Sequence, residues 1–198
     1  APVMAARQIL GVDVLSNGRL DIAVGSGWHP VEYEAAGTSM KTRGARMDEM
    51  MDLINRLFQP GDIEFEGKYY RVPKTKFEPK PVQKPRPPFL VGGGAEAALR
   101  RAARWDGWYG VAMDVEGFLA AKARIDGYRR EIGRENEPFE YVLVFFQGGP
   151  GGHAPSRDIL QQFADAGAHR FVVTPWAFDY ENALPAIANY ARDIGLGA

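Results

Sequence analysis

The sequence predicts an α/β chain of the (β/α)8-barrel type, incomplete, holding roughly strands four to eight with a Pro-rich, hairpin-bearing insertion. Three observations lead there. Apolar strand-like runs alternate with helical periodicity everywhere outside residues 59–88, and such alternation implies a parallel sheet because each crossover returns the chain to the same end. Strands run into glycine turns that open the next helix, as Val91 does into Gly92-Gly93-Gly94. The length also agrees: at about 31 residues per unit, five units plus an insertion of about thirty come to about 185 residues, close to the 198 present. An open doubly wound sheet is the competing arrangement.

Residues 2–14 read loosely as a helix stopped by Ser16-Asn17-Gly18. Leu20 to Val24 reads as a short buried strand ending in Gly25-Ser26-Gly27. The clearest helix covers 43–58, with Met47, Met50, Ile54, Leu57 and Phe58 near helical spacing and Thr42 as N-cap. The methionines in that stripe read as core filler.

Residues 59–88 break the rhythm, carrying seven of the fourteen prolines. Ile63 to Tyr70 predicts a small hairpin around Gly67, and PKPVQKPRPP reads as an extended surface excursion, because Pro fixes φ and restricts its predecessor. A Pro-rich peptide ligand for an SH3-type domain is the sharper alternative for that piece.

Phe89 to Val91 is the next strand and AEAALRRAAR its helix. Asp106 to Ala112 forms a strand, 115–131 a helix and Phe139 to Phe146 the strongest strand. Ser156 caps a helix to Ala166, Arg170 to Thr174 is the last strand, and a helix from about Glu181 to Ile194 closes the chain. One domain over 1–198, with 59–88 inserted, is the expected organisation.

The composition is that of an ordinary globular chain, 45% hydrophobic and 25% charged. A net charge of −1 gives no global field favouring nucleic acid or anionic membrane. With no cysteine, disulfide scaffolds, thiolate catalysis and Cys-based zinc sites are excluded, and the lack fits a cytoplasmic protein. No window approaches eighteen apolar residues, so no transmembrane helix is expected. The start, APVMAARQIL, has neither an initiator Met nor a signal-peptide pattern and reads as a chain whose beginning is missing.

Three segments stand in order: Asp13-Val14-Leu15-Ser16-Asn17-Gly18-Arg19 running into Val24-Gly25-Ser26-Gly27-Trp28, then Lys80-Pro81-Val82-Gln83-Lys84-Pro85, then Val91-Gly92-Gly93 with Ala98 to Ala103 and Asp106-Gly107-Trp108. Together they resemble the luciferase-like monooxygenase superfamily of flavin- and deazaflavin-dependent oxidoreductases. Thr42 to Glu49 also fits the branch associated with coenzyme F420. The likeness covers most of residues 2–112, and beyond that it is one of pattern. It implies that LSNGR leads into the fourth barrel strand, and that strand ends which hold the cofactor ring in the family precede this chain. It also implies a homodimer, and unpaired parallel edges would favour association in any case.

The chemistry-bearing candidates sit at the C-terminal ends of the strands, where such barrels place their sites. The glycines of Gly25-Ser26-Gly27 let a ligand approach the backbone, Trp28 offers a flat surface for an aromatic ring, and His29 is the proton donor or acceptor candidate. The bland counterpart is a Trp packing the barrel mouth beside a solvated His. Gly92, Gly93 and Gly94 join a strand to a helix N-terminus, a place that favours an anion, and the resemblance makes this turn a seat for the cofactor phosphate. As a plain tight turn it would need no ligand.

Gly148 to His153 is a candidate lid, or simply a loop. His169 precedes the last strand and Asp106 begins one, so both fall at the opposite end from the chemistry, with Trp108 structural. No metal-ligand or nucleophile–base arrangement stands out, so the hard chemistry would belong to a cofactor. The resemblance therefore implies an F420-dependent oxidoreductase moving hydride to or from a small organic substrate. FMN-dependent oxygenation is the alternative within the family, and a non-catalytic cofactor-binding or assembly remnant is the alternative outside enzymology.

Overall fold

Helix α1 (Pro2–Leu15) starts on a proline, which costs nothing where the N–H has no helical partner, and ends in a left-handed turn. Asn17 and Gly18 have φ of 53° and 76°, and the Gly18 N–H donates back to the Asp13 carbonyl at 2.9 Å. The computed structural model describes residues 1–111, 113–146, 154–175 and 181–196. They form two compact units, Ala1–Phe89 and Leu90–Ala198.

The first unit holds α1, strand β1 (Ile22–Val24), the short helix α2 (Pro30–Ala35), a 3-10 turn Met40–Thr42, helix α3 (Arg43–Phe58) and the antiparallel pair β2 (Ile63–Glu66) and β3 (Arg71–Thr75). Its core packs Ala6 and Leu10 of α1 with Met51, Leu53, Leu57 and Phe58 of α3. The bounds of α3 are those its periodicity predicts, but its start is built differently. The Ser39 hydroxyl accepts from the Lys41 N–H, and the Thr42 hydroxyl donates to the Ser39 carbonyl instead of capping α3. The 3-10 turn feeds straight into the helix, so the cap moves three residues upstream.

Strand β1 is shorter than expected and is half-buried, not buried: Ile22 and Val24 are partly covered while Ala23 is exposed. The alternation is that of a strand covered on one face. The Ile22 N–H donates to the Pro88 carbonyl at 2.9 Å.

The insertion corrects the sequence reading most. The hairpin forms, with Phe65 opposite Val72 and Glu66 opposite Arg71. The proline run after it is neither extended nor wholly superficial. It bends through 82–85, and Ile63, Phe77, Pro81 and Pro87 are buried. The physical cause is Asp13, a fully buried carboxylate that accepts the Val82 N–H at 2.6 Å and the Gln83 side-chain amide at 2.9 Å. Lys80 adds a second tie, its ammonium donating to the Leu57 carbonyl at 3.0 Å near the C-terminal end of α3, where positive charge is favoured. The KPVQKP motif is thus held by structural contacts on both sides.

The second unit runs strand β4 (Phe89–Gly92, entered from the last residue of the first unit), α4 (Glu96–Ala103), β5 (Gly107–Val111), α5 (Val115–Glu131), β6 (Glu140–Phe146), α6 (Arg157–Asp165), β7 (Arg170–Thr174) and α7 (Ala183–Asp193). Its strands pair in parallel with their successors: Leu90 lies opposite Gly107, Gly107 opposite Glu140, and Val142 opposite Arg170. Neighbours in chain order favour the barrel over a doubly wound sheet, whose order reverses. Phe118 of α5, fully buried, meets Tyr141 and Phe163 edge-on at centroid distances of 5.8 and 6.0 Å. Ser156 caps α6 as expected, accepting from the Ile159 N–H.

Among the described residues no helix is long and apolar enough to cross a membrane. The Gly148 to His153 loop lies outside the described residues.

Candidate functional site

In the first unit the end of β1, the turn after α2, the start of α3 and the hairpin tip meet around a cleft of about 170 Å³. Gly25 and Ser26 supply one wall. Tyr33 and Thr38 supply the next, the Thr38 N–H being tied to the Tyr33 carbonyl at 2.9 Å. Arg43, Arg46, Met47 and Met50 come from α3, and Tyr70 comes from the hairpin. Met50, expected as core filler, is half-buried and faces this cleft.

The cleft's charge is its distinguishing property. Arg43 and Arg46 lie three apart on α3, on one face of the helix. Among the described residues neither guanidinium is in an ion pair. Arg46 instead sits over two rings, 4.9 Å from the centroid of Tyr69 and 5.8 Å from that of Tyr70. Two guanidinium groups together with the hydroxyls of Ser26, Tyr33, Thr38 and Tyr70 form a donor-rich, cationic lining suited to an oxyanion. Ligand pockets usually hold about 300–1,000 Å³, so this cleft takes a head group and not a tricyclic ring.

The sequence candidates divide. Gly25 and Ser26 line the cleft, whereas Gly27, Trp28 and His29 do not. Gly27 has φ of 76° and passes close to the Tyr33 hydroxyl. Trp28 is 79% exposed, with its ring 5.2 Å from that of His29 at an edge-on angle. His29 is the N-cap of α2, does not cap it through its side chain, and keeps a buried Nδ1 without a partner among the described residues.

In the second unit, Gly92 ends β4 and Gly93 has φ of 114°, a conformation that favours glycine. The Trp108 indole donates to the Gly93 carbonyl at 2.9 Å, fixing the turn. Among the described residues no side chain caps α4 behind Gly94 and Ala95, so its first amides keep their anion-binding character. Glu96 stands in that first turn, but its carboxylate is engaged by Arg100, Arg124 and the Tyr128 hydroxyl.

His169 and Asp106 behave structurally. His169 Nδ1 accepts the Tyr141 N–H at 3.0 Å, and the Asp106 carbonyl accepts the Glu140 N–H at 3.0 Å. No cluster of His, Cys, Asp and Glu suited to a metal occurs among the described residues.

Sequence reasoning missed Arg43, Arg46, Tyr33, Thr38 and Tyr70. A signal was present: two arginines one helical turn apart, just before an apolar stripe, with no acidic residue at helical spacing ahead of them.

The model of the family described as luciferase-like monooxygenase matches residues 1–147. An uncharacterized protein of Mycobacterium tuberculosis is 37% identical over 147 residues, 74% of this chain and 50% of that protein. An FMNH(2)-dependent dimethylsulfone monooxygenase of Pseudomonas fluorescens is 33% identical over 168 residues, 83% of this chain and 45% of that one. The chain spans about half the length of these curated relatives. Among solved structures, an F420-dependent secondary alcohol dehydrogenase in complex with an F420-acetone adduct matches 98% of this chain and 75% of its own, at TM-score 0.78 and 16% identity. That likeness is one of fold, and it agrees with a partial barrel of parallel strands and helices. On the sequence match over three quarters of its length, the chain belongs to the luciferase-like monooxygenase family.

Proposed function

We propose that this chain is part of an F420-dependent oxidoreductase acting on a small organic substrate, and that the Arg43–Arg46 cleft holds an oxyanion of the bound cofactor or substrate. The observation that carries the reading is the pair of guanidinium groups, neither in an ion pair among the described residues, beside Gly25 and Ser26 at the C-terminal end of a strand. The Gly92-Gly93-Gly94 turn, with the uncapped start of α4, is a second place for a phosphate.

The residues fit such a group. A cationic cleft and an uncapped helix start both suit the anionic tail of a deazaflavin or of FMN, and a Cβ at Gly25 or Gly94 would meet nothing within 4 Å. The cofactor, when bound, would supply hydride chemistry at its ring. In the first unit this chain's own part is to anchor an oxyanion through Arg43 and Arg46, to offer the Trp28 face to an aromatic ring, and to hold or release a proton at His29; the Gly93 turn of the second unit is an anion seat by itself.

FMN in place of F420 is favoured by one observation, the 33% identity to a monooxygenase whose name records FMNH(2). The fold likeness to an F420-dependent dehydrogenase and the Thr42 to Glu49 segment support the deazaflavin. A fluorescence titration with F420 and, separately, FMN tests the reading. Saturable binding of F420 at lower concentration supports it, tighter FMN binding moves the chain to the monooxygenase reading, and binding of neither overturns both. Cofactor binding without turnover of any alcohol or other hydride donor would leave the non-catalytic reading.

A further inference from the structure

We propose that Glu49 is a positioning residue: it touches no ligand, yet it builds the Tyr70 wall of the cleft and thereby sets the cleft's affinity for an oxyanion. The inference rests on the reading of the cleft given above.

Glu49 lies one turn after Arg46 on α3 and does not line the cleft. Its carboxylate accepts three successive backbone amides of the hairpin tip. Oε2 takes the Lys68 N–H at 3.0 Å, and Oε1 takes those of Tyr69 at 2.8 Å and Tyr70 at 2.7 Å. Converging amides are a strong seat for one negative charge. The turn is shaped for it, because a Cβ on Gly67 would run into this carboxylate. The Gly67 N–H meanwhile closes the turn on the Tyr70 carbonyl at 2.9 Å.

The consequence is geometric. Residues 68–70 follow Glu49 by 19 to 21 positions in sequence, and this carboxylate docks them onto the helix that carries both arginines. Docking places the Tyr70 side chain on the cleft and brings the Tyr69 and Tyr70 rings to the Arg46 guanidinium. Losing the carboxylate releases three amides at once, and the wall goes with them. A residue that merely anchored the insertion would lower stability and leave the affinity of the cleft alone.

The test is a 1H–15N NMR titration of the chain with inorganic phosphate, following the Arg43 and Arg46 Nε–H signals in the native chain, Glu49→Ala, Tyr70→Phe and the double variant. Saturation in the native chain is expected, weakened about tenfold by Glu49→Ala, equivalent to one charge-assisted hydrogen bond. Because Glu49 acts through Tyr70, the double variant should bind no more weakly than the weaker single variant. Glu49→Gln, which keeps one acceptor oxygen, should fall between native and Ala, and it replaces Ala in the cycle if Ala does not fold. Full affinity in Glu49→Ala, or losses that multiply with Tyr70→Phe, would overturn the proposal and leave the cleft reading standing. A native chain whose arginine signals ignore phosphate overturns both.

Discussion

The indole Nε1 of Trp108 donates to the carbonyl of Gly93 at 2.9 Å, so a fully buried side chain on β5 holds the turn that opens α4. The DGW motif therefore serves the glycine turn from the neighbouring strand. Replacing Trp108 with Phe removes the donor, strands a carbonyl and leaves a void, at a cost of about 1–3 kcal/mol. Urea unfolding should show a lower midpoint with an unchanged slope, and an unchanged midpoint would contradict this account.

Asp13 supports the insertion from below. With Asp13→Ala, the Val82 N–H and the Gln83 amide lose their buried acceptor, which should destabilise the chain by roughly 2–5 kcal/mol. Hydrogen exchange at Val82 should rise well before global unfolding. Protection equal to the native chain's would show that the clamp does not hold the segment.

Acid should act through Asp126. Burial opposes its charge, but hydrogen bonds from Lys122 at 2.7 Å and the Tyr141 hydroxyl at 2.5 Å outweigh that and hold its pKa below 3.8. A carboxyl depressed in the folded state contributes stability above its unfolded pKa and loses it as pH falls through the lower folded value. Stability should therefore decline below about pH 4 more steeply in the native chain than in Asp126→Asn, as thermal melts across pH 2–6 would record. Parallel curves would remove Asp126 from the acid limb. Tyr141, pushed up by burial and by the Asp126 carboxylate, stays neutral throughout that range.

Cofactor affinity should follow the two arginines. Arg43→Ala and Arg46→Ala are each expected to weaken binding of whichever cofactor, F420 or FMN, the fluorescence titration selects about tenfold or more, and Arg46→Lys to restore little of it, since Lys lacks the planar fork that stacks on the tyrosines. Fluorescence titration reads both effects. Unchanged affinity in the double Ala variant would move the anion site to the Gly92-Gly93-Gly94 turn.

Much of the fold was legible because its signals are local. Ser156 ahead of α6, the apolar stripe of α3 and the β-branched run at 170–174 each act within one turn or one strand. The insertion was misjudged because proline content signals a break in regular structure and not exposure; a proline ring is apolar, and Pro81 and Pro87 are buried accordingly. The cleft was illegible for a different reason. Arg46 and Tyr70 are twenty-four positions apart and meet where Glu49 holds the hairpin tip, through amide partners that carry no side-chain signature in the sequence. Gly25 and Ser26, which line the cleft, were legible as a strand-end turn because a glycine turn at a strand end announces itself.

The clamp between Asp13 and Val82 closes a loop of 69 residues. A chain emerging from the ribosome must therefore carry Asp13 on α1, without its partners, until Val82 and Gln83 have cleared the exit tunnel. Helix α1 can form early, but its seat is completed only when residues 82–83 arrive.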